Sequence, residues 1–211
     1  MATSLRLSRR LLVRPTTPDG TVTVLFSDIE NSTLMNLRLG DQRWLDVVRS
    51  HNALIRRQVR LHRGYEVKSQ GDGFMVAFAS ALRAIRCAIG IQRTFANFSD
   101  GHLGEPLRVR IGLHTGEAIK ENGDFYGRSV ILASRIADQA RGGEILVSSL
   151  VKSLTESASD LCFDHDREVP LKGLDGTQRL YRVSWEGVPG MFGAEAASRL
   201  LSRRPLWRPS R

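Results

Sequence analysis

The amino-acid sequence predicts an α+β fold, with a ferredoxin-like β-α-β-β-α-β core that is extended by additional strands and helices. Three observations support this prediction. Short apolar runs alternate along the chain with longer stretches whose apolar residues recur at helical spacing. These elements begin in the order β-α-β-β-α-β. Finally, 41% of the residues are hydrophobic, which suffices for a sizeable core.

The first half of the core contains a strand, a helix and a hairpin. The run TVTVLFSD, residues 21–28, is typical of a buried strand. Between residues 33 and 61 the apolar side chains recur near helical spacing, which predicts one long amphipathic helix. Two short strands follow, GYEVKS and GFMVAFA, and the residues QGD at 70–72 between them predict a tight turn.

The second half of the core contains a helix and a long strand. Residues 80–97 carry apolar side chains at helical spacing, and residues 107–119 are typical of a strand, interrupted at Gly112 and Gly116. Beyond the core, the sequence predicts a loop at 120–128, a helix at 129–140, a strand at 144–148, a short helix and two closing strands that end at RLYRVSW.

The net charge of +9 is concentrated near the two ends of the chain. Residues 1–20 and 186–211 are rich in arginine and proline and hold most of the excess charge, so we expect both to be poorly ordered tails. A single domain at 21–185 lies between them. Because the charge is not on this domain, no nucleic-acid partner is expected. An anionic membrane surface or another partner for the tails remains an alternative.

Several classes of protein are excluded by composition. The two cysteines, Cys87 and Cys162, do not suffice for a disulfide framework or a cysteine-rich zinc site. The histidines show no metal-ligand spacing. No apolar run approaches the roughly 18 residues that a transmembrane helix needs. We therefore expect a cytoplasmic protein without a transmembrane segment.

Two carboxylates stand at the ends of predicted strands. Asp28 ends the first strand and Asp72 lies in the turn before the third, and these strands are neighbours in a β-α-β-β-α-β sheet. Paired carboxylates favour a hard cation such as Mg²⁺ or Mn²⁺, and two such ions about 3.5–4 Å apart serve phosphoryl or nucleotidyl transfer. The helix that starts after Asp28 suits a polyphosphate. The simpler alternatives are an N-cap for Asp28 and an ordinary Gly-Asp-Gly turn for Asp72.

Five segments carry a resemblance to a known family. FSDIENST, VKSQGDGFMVAF, RVRIGLHTGE, DFYGRSVILASR and VPLKG resemble, in order and spacing, the catalytic domain of class III adenylate/guanylate cyclases of the compact bacterial type. The resemblance covers roughly residues 21–185, and it implies the class III nucleotidyl cyclase fold for this domain.

The resemblance implies a role for each matching residue. The metal ligands are Asp28, Asp72 and the backbone carbonyl of Ile29, which together hold two divalent cations per site. The resemblance also implies contacts to the nucleotide base by Lys68 and Asp124, to the reacting phosphate by Arg135, and to the other phosphates by Arg110 and Lys172. The polyphosphate is expected at the start of the helix after Asp28, which comprises Ile29, Glu30, Asn31, Ser32 and Thr33.

The chemistry of the two base-contacting side chains favours ATP over GTP. Lysine only donates hydrogen bonds and an ionised aspartate only accepts them, so Lys68 and Asp124 complement the N1 acceptor and amino donor of adenine. Guanine presents the reverse pattern, and each mismatched polar group costs on the order of 1–3 kcal/mol. Only four lysines occur among the 31 basic residues, and two of them stand at matching positions.

The resemblance also implies a homodimer with composite sites, in which one chain supplies the metal ligands and the other the base-contacting residues and Arg135. One position departs from the family, because Ile131 stands where an asparagine orients the ribose. The expected function is therefore an adenylate cyclase of low activity. The alternative is a degenerate cyclase-like module for nucleotide binding or dimerisation. The signature of diguanylate cyclases is absent.

Overall fold

The computed structural model describes residues 16, 17, 19–98 and 107–186. The predicted tails, 1–20 and 186–211, lie outside these residues except for 16, 17, 19, 20 and 186. Within the described part of the chain, no helix combines the length and the apolar character that crossing a bilayer requires.

Strands and helices alternate along the chain. The strands are β1 (Thr21–Ile29), β2 (Tyr65–Gln70), β3 (Gly73–Phe78), β4 (Val109–Glu117), β5 (Ile119–Glu121), β6 (Asp124–Tyr126), β7 (Ile145–Ser148), β8 (Cys162–Pro170) and β9 (Thr177–Ser184). The helices are α1 (Ser32–Leu39), α2 (Asp41–Leu61), α3 (Ala81–Ala96), α4 (Arg128–Gln139) and α5 (Ser149–Thr155).

Seven strands form one sheet, in the order β2-β3-β1-β4-β7-β9-β8, and β5 and β6 form a separate hairpin. The first four positions, β2-β3-β1-β4, are all antiparallel, as in a ferredoxin-like sheet. A parallel pairing of β4 with β7 then extends this core. The predicted α+β fold with an extended core is confirmed.

Helices cover both faces of the sheet. Leu25 and Ile29 of β1 pack in a core cluster with residues of α2, α3 and α5, while Val22 and Val24 pack with Ala133 of α4 on the opposite face. Because both faces are covered, the side chains of β1 are mostly apolar, and the buried hydroxyl of Thr23 is bonded to that of Thr115. Asp28 continues the Val22–Val24 series and therefore lies on the α4 side of the sheet.

Three details of the sequence prediction are wrong. The helix predicted at 33–61 is two helices, because Gly40 adopts φ 76° and ends α1. The strand predicted as interrupted at Gly112 and Gly116 is continuous. Gly112 instead permits the close approach of α4, since a Cβ there would lie 2.1 Å from the backbone nitrogen of Ala137.

The third error concerns the predicted loop at 120–128, which contains the hairpin β5–β6. Its two turn residues, Asn122 and Gly123, both have positive φ, at 49° and 84°. An Asn-Gly pair between paired strands is a common two-residue hairpin turn, so the sequence did contain this signal. The hairpin matters for function because Asp124 is its first residue after the turn.

We expect acid to destabilise the protein through two poorly exposed histidines. Burial lowers the pKa of His51 and of His114 from 6.5 to about 4. As the pH falls below 6.5, the unfolded chain therefore binds protons before the folded chain does, and the free energy of unfolding decreases until about pH 4. The effect is about 3 kcal/mol for each histidine.

Urea unfolding at a series of pH values measures this effect. His114→Asn is the matched variant, because its amide can replace the contact of His114 Nδ1 with Ser148 Oγ, 2.8 Å apart, without titrating. Its stability is expected to depend less steeply on pH between 6.5 and 4. An unchanged slope would show that other groups cause the acid sensitivity.

Candidate functional site

The two predicted carboxylates meet at one edge of the sheet, because β1 and β3 are neighbours. Asp28 is the penultimate residue of β1, and Asp72 lies in the turn between β2 and β3. Asp72 Oδ2 accepts a hydrogen bond from the backbone N–H of Ile29 at 3.2 Å. Both side chains are half-buried.

The pKa values of the two carboxyls are driven apart. Burial, followed by hydrogen bonding and repulsion from Asp28, raises the pKa of Asp72 to about 6. Burial also opposes ionisation of Asp28, but the hydrogen bond with Asp72 and the Arg110 guanidinium outweigh it and lower the pKa of Asp28. The pair thus accumulates negative charge at neutral pH that one guanidinium only partly offsets, which is a favourable setting for a cation.

Arg110 is held opposite Asp28 by the sheet itself. The two residues are register partners between β1 and β4, and Arg110 Nη2 donates to Asp28 Oδ2 at 2.7 Å. The Nε of Arg110 is buried and has no hydrogen-bond partner among the described residues. Arg110 therefore places a cation directly beside the carboxylate pair, and one of its donors has no partner in the described part of the chain.

A cavity of about 410 Å³ opens beside this pair. Its lining comprises Asp28, Arg110, Leu34, Ala140 and the five loop residues predicted to bind phosphate, Ile29, Glu30, Asn31, Ser32 and Thr33. Asn31 has φ 57°, in the left-handed region, and immediately precedes α1. The open backbone N–H groups of this helix start suit an anion.

Glu30 has a structural contact within this loop. Its Oε1 accepts a hydrogen bond from the backbone N–H of Gly142, in the turn after α4, at 2.8 Å. Only glycine fits there, because a Cβ on residue 142 would lie 2.5 Å from Glu30 Oε2. The carboxylate of Glu30 thus links the loop to the turn after α4. The predicted phosphate contact does not require this side chain, because it uses the backbone N–H groups of the loop.

A second cavity, of about 340 Å³, adjoins the first at Asp28 and Arg110. Its lining includes Asp72, Lys68 and residues of α4, among them Asp138. The structure therefore brings four predicted site residues, Asp28, Asp72, Arg110 and Lys68, to one connected cleft.

The predicted base-contacting pair is also together. Lys68 Nζ donates to Asp124 Oδ2 at 2.7 Å, although 56 positions separate the two residues in sequence. Asp124 Oδ1 accepts from the N–H of Phe125 at 2.8 Å. The hydrogen bond from Lys68 lowers the pKa of Asp124, so this carboxyl is an acceptor at neutral pH. Lys68 is 56% exposed, which leaves its ammonium accessible to a ligand.

The remaining predicted residues lie apart from the cleft. Arg135, on α4, donates to Asp138 Oδ2 at 3.1 Å, and its Nε is buried without a hydrogen-bond partner in the described part of the chain. Ile131 lies one turn earlier on the same helix and is 49% exposed. Lys172 is exposed between β8 and β9. Neither cavity is lined by Asp124, Arg135 or Lys172.

The donor set fits a hard divalent cation that is shared with a ligand. Asp28 and Asp72 supply carboxylate oxygens, and Ile29 can add its carbonyl oxygen. Among the described residues, no group of three or more His, Cys, Asp or Glu side chains is placed to form a complete metal cage. Mg²⁺ is commonly bound by one or two carboxylates together with substrate phosphates. The adjacent anion-binding loop meets that requirement.

Two side chains near the site were missed from the sequence. Asp138 contacts Arg135, and Asn52 of α2 donates from Nδ2 to the carbonyl of Gly71, next to Asp72, at 3.1 Å. The spacing of Asp138 from Arg135, three residues on one helix, was a usable signal. The sequence signal for Asn52 was weak, because it consisted only of the position of Asn52 next to His51 on the apolar side of α2.

The fold and the site define the class as an α+β domain with paired carboxylates beside a loop that lines a cavity and whose backbone N–H groups suit an anion. Comparison with known proteins gives the family. The model of the adenylate and guanylate cyclase catalytic domain matches residues 15–184, and the chain belongs to this family. The resemblance expected from the five segments is thereby confirmed.

Individual relatives agree with this assignment. The chain is 36% identical over 165 residues to an adenylate cyclase of Mycosarcoma maydis, covering 65% of this chain and 6% of that protein. It is 32% identical over 167 residues to an adenylate cyclase of Lachancea kluyveri, covering 67% and 9%. The chain thus spans less than a tenth of these relatives. A solved structure of a Trypanosoma brucei adenylate cyclase in its monomeric state superposes with a TM-score of 0.70 at 27% identity, over 85% of this chain and 94% of that one.

Proposed function

We propose that this chain is an adenylate cyclase that converts ATP to 3′,5′-cyclic AMP and pyrophosphate. The observation that carries the proposal is the contact of Asp28 with Asp72 beside the cavity lined by the β1–α1 loop. The adenylate cyclases of M. maydis and L. kluyveri support the choice of reaction.

The carboxylate pair and the loop would bind the metal–triphosphate unit. Asp28, Asp72 and the Ile29 carbonyl would hold two ions, Mg²⁺ or Mn²⁺. When bound, these ions would lower the pKa of the ribose 3′-hydroxyl and offset the negative charge of the phosphates. Arg110, which is bonded to Asp28 in this structure, would donate to a phosphate oxygen of the bound nucleotide. The backbone of the loop then donates to the remaining phosphate oxygens.

The reaction is an in-line substitution at the α-phosphorus. The 3′-oxygen forms a bond to that phosphorus, the bond to the bridging oxygen of pyrophosphate breaks, and the hydroxyl proton passes to solvent. Arg135 would donate to the oxygens whose charge grows in the transition state. Lys172 contacts the phosphates of the leaving group.

Lys68 and Asp124 select the base. The ammonium of Lys68 donates to N1 of adenine, and Asp124 accepts from the exocyclic amine. Their ion pair of 2.7 Å supports this role, because it places a donor and an acceptor side by side, as the edge of adenine requires.

Two chains are needed to complete each site. Within one chain, Lys68 lines the same cavity as Asp72, but Asp124 and Arg135 line neither cavity. A second copy can present its own Asp124 and Arg135 across the cleft, and a two-fold symmetric homodimer then has two equivalent sites. Lys68 and Asp72 of one chain serve different sites in this arrangement.

Ile131 favours a second candidate function, a cyclase-like module that binds nucleotide without turnover. An isoleucine side chain cannot hydrogen-bond to the ribose, and it is exposed on α4 one turn before Arg135. Loss of one positioned polar group costs about 10²–10³ in rate. We therefore propose a slow enzyme, with the inactive module as the alternative.

Assay of the purified protein separates the two candidates. With Mn²⁺ and ATP we expect cyclic AMP and pyrophosphate in equal amounts, and none after chelation of the metal. GTP is expected to react at least about tenfold more slowly, because it mismatches both base-contacting side chains. Binding of ATP without any product identifies the inactive module, and equal rates with GTP contradict the role of Lys68 and Asp124.

A further inference from the structure

Helix α2 is bonded directly to the turn that carries Asp72. Asn52 Nδ2 donates to the carbonyl oxygen of Gly71 at 3.1 Å. The ladder between β2 and β3 closes at the pair Gln70–Gly73, so this carbonyl lies outside the strand hydrogen bonds. Gly71 adopts φ 60°, and Asp72 follows it. The amide of Asn52 thus fixes the peptide unit that joins Gly71 to Asp72.

Asn52 is itself held in one orientation by His51. The Nδ1 of His51 lies 2.9 Å from Oδ1 of Asn52. Because the Asn52 amide donates to Gly71, its oxygen must accept, and we assign the proton to Nδ1 of His51. The imidazole is fully buried, with ring centroids 5.1 Å from Phe95 and 6.0 Å from Phe74, so it has no room to turn.

A second contact from the same helix face reaches the strand before the turn. Arg56, four residues after Asn52, donates to both carboxylate oxygens of Glu66 and to Ser69 Oγ at 3.0 Å. These bonds fix β2, but they do not reach Gly71 or Asp72. Asn52 and Arg56 thus both form hydrogen bonds from α2 to the β2–β3 hairpin. Only the bond of Asn52 reaches the turn at Gly71.

We propose that Asn52 is a positioning residue for the metal site, and that its hydrogen bond to Gly71 keeps the Asp72 carboxylate against Asp28. This inference rests on the proposed function, in which both carboxylates hold the cations. The Asp72 side chain is bonded to the N–H of Ile29 at 3.2 Å, whereas the Gly71 carbonyl before it is bonded to Asn52, so loss of the Asn52 amide releases the turn backbone that carries Asp72. Groups that orient metal ligands in this way typically contribute about 10- to 100-fold in metal affinity.

The test measures Mn²⁺ binding to the full chain without nucleotide, from the loss of the electron paramagnetic resonance signal of free Mn²⁺. The test variants are Asn52→Ala and Asn52→Leu, and the second keeps the approximate size of the side chain. Ser50→Ala and Arg56→Ala are matched controls on the same helix, because the first removes an exposed side chain and the second removes contacts to β2 and to the Phe74 ring of β3, 5.3 Å away, but none to Gly71. Thermal unfolding of each variant shows whether it is folded.

Both Asn52 variants are expected to bind Mn²⁺ about tenfold more weakly, and both controls within about twofold of the unaltered chain. Equal affinity in the Asn52 variants overturns the inference and leaves the proposed function intact. Equal weakening in Arg56→Ala also overturns it, because general loosening of α2 then explains the loss. If the unaltered chain binds no Mn²⁺ without nucleotide, this inference is overturned, while the proposed function, in which the substrate phosphates share the cation, stands.

Discussion

Replacing Asp72 by asparagine is expected to lower the rate of cyclic AMP formation by at least about 10³-fold. Asparagine has the shape of aspartate but not its charge, so the variant cannot balance a divalent cation beside Asp28. Metal ions contribute several kcal/mol to such reactions, and about 4 kcal/mol corresponds to 10³ in rate. The measurement is kcat with Mn²⁺ and ATP, compared with the unaltered chain.

The stability of this variant provides the control. The raised pKa of Asp72, about 6, means that the folded chain binds a proton more tightly than the unfolded chain does. This contribution is present below about pH 4 and is lost as the pH rises through 6. At neutral pH without metal, Asp72→Asn is expected to be more stable by on the order of 1 kcal/mol, allowing for solvent screening. Full activity in a folded variant contradicts the role of Asp72.

Replacing Ile131 by asparagine is expected to raise kcat by about 10- to 100-fold. The new amide lies on α4 one turn before Arg135, at a position that is 49% exposed, and can bond to the ribose of a bound nucleotide. The gain recovers part of the rate loss of about 10²–10³ that is expected when one positioned polar group is missing. Values of kcat and KM for ATP separate faster chemistry from tighter binding.

Ile131→Ala is the matched control for this gain. It removes the apolar side chain without adding a hydrogen-bonding group, and its kcat is expected to stay near that of the unaltered chain. If asparagine and alanine give the same kcat, another group already orients the ribose or the site does not turn over.

The meeting of the two carboxylates was predictable, because it depends on strand order alone. Asp28 and Asp72 stand at the ends of strands that any β-α-β-β-α-β sheet makes neighbours, and β1 does pair with β3. The ion pair of Lys68 with Asp124 was not predictable from periodicity or spacing, because it joins a strand end to a hairpin 56 positions away. Only the resemblance to the cyclase family gave both residues.

Contacts that depend on three-dimensional register were missed. The pairing of Arg110 with Asp28 follows from the alignment of β1 against β4, which the sequence does not specify. The bond of Asn52 to Gly71 requires the exact rotation of α2, which in turn depends on the break at Gly40 that the sequence prediction missed. Local signals predict elements, whereas the placement of single side chains between elements requires their packing.

The shared site is tested most directly by mixing two inactive variants. Lys68→Ala removes the base contact and Asp72→Ala a metal ligand, and each homodimer then has two defective sites. In a heterodimer, one site combines both defects and the other combines the intact Asp72 and Lys68. We expect a one-to-one mixture to recover about a quarter of the normal rate, because half of the dimers are heterodimers with one intact site of two. No recovery, with heterodimers demonstrated by mass, would contradict the composite site.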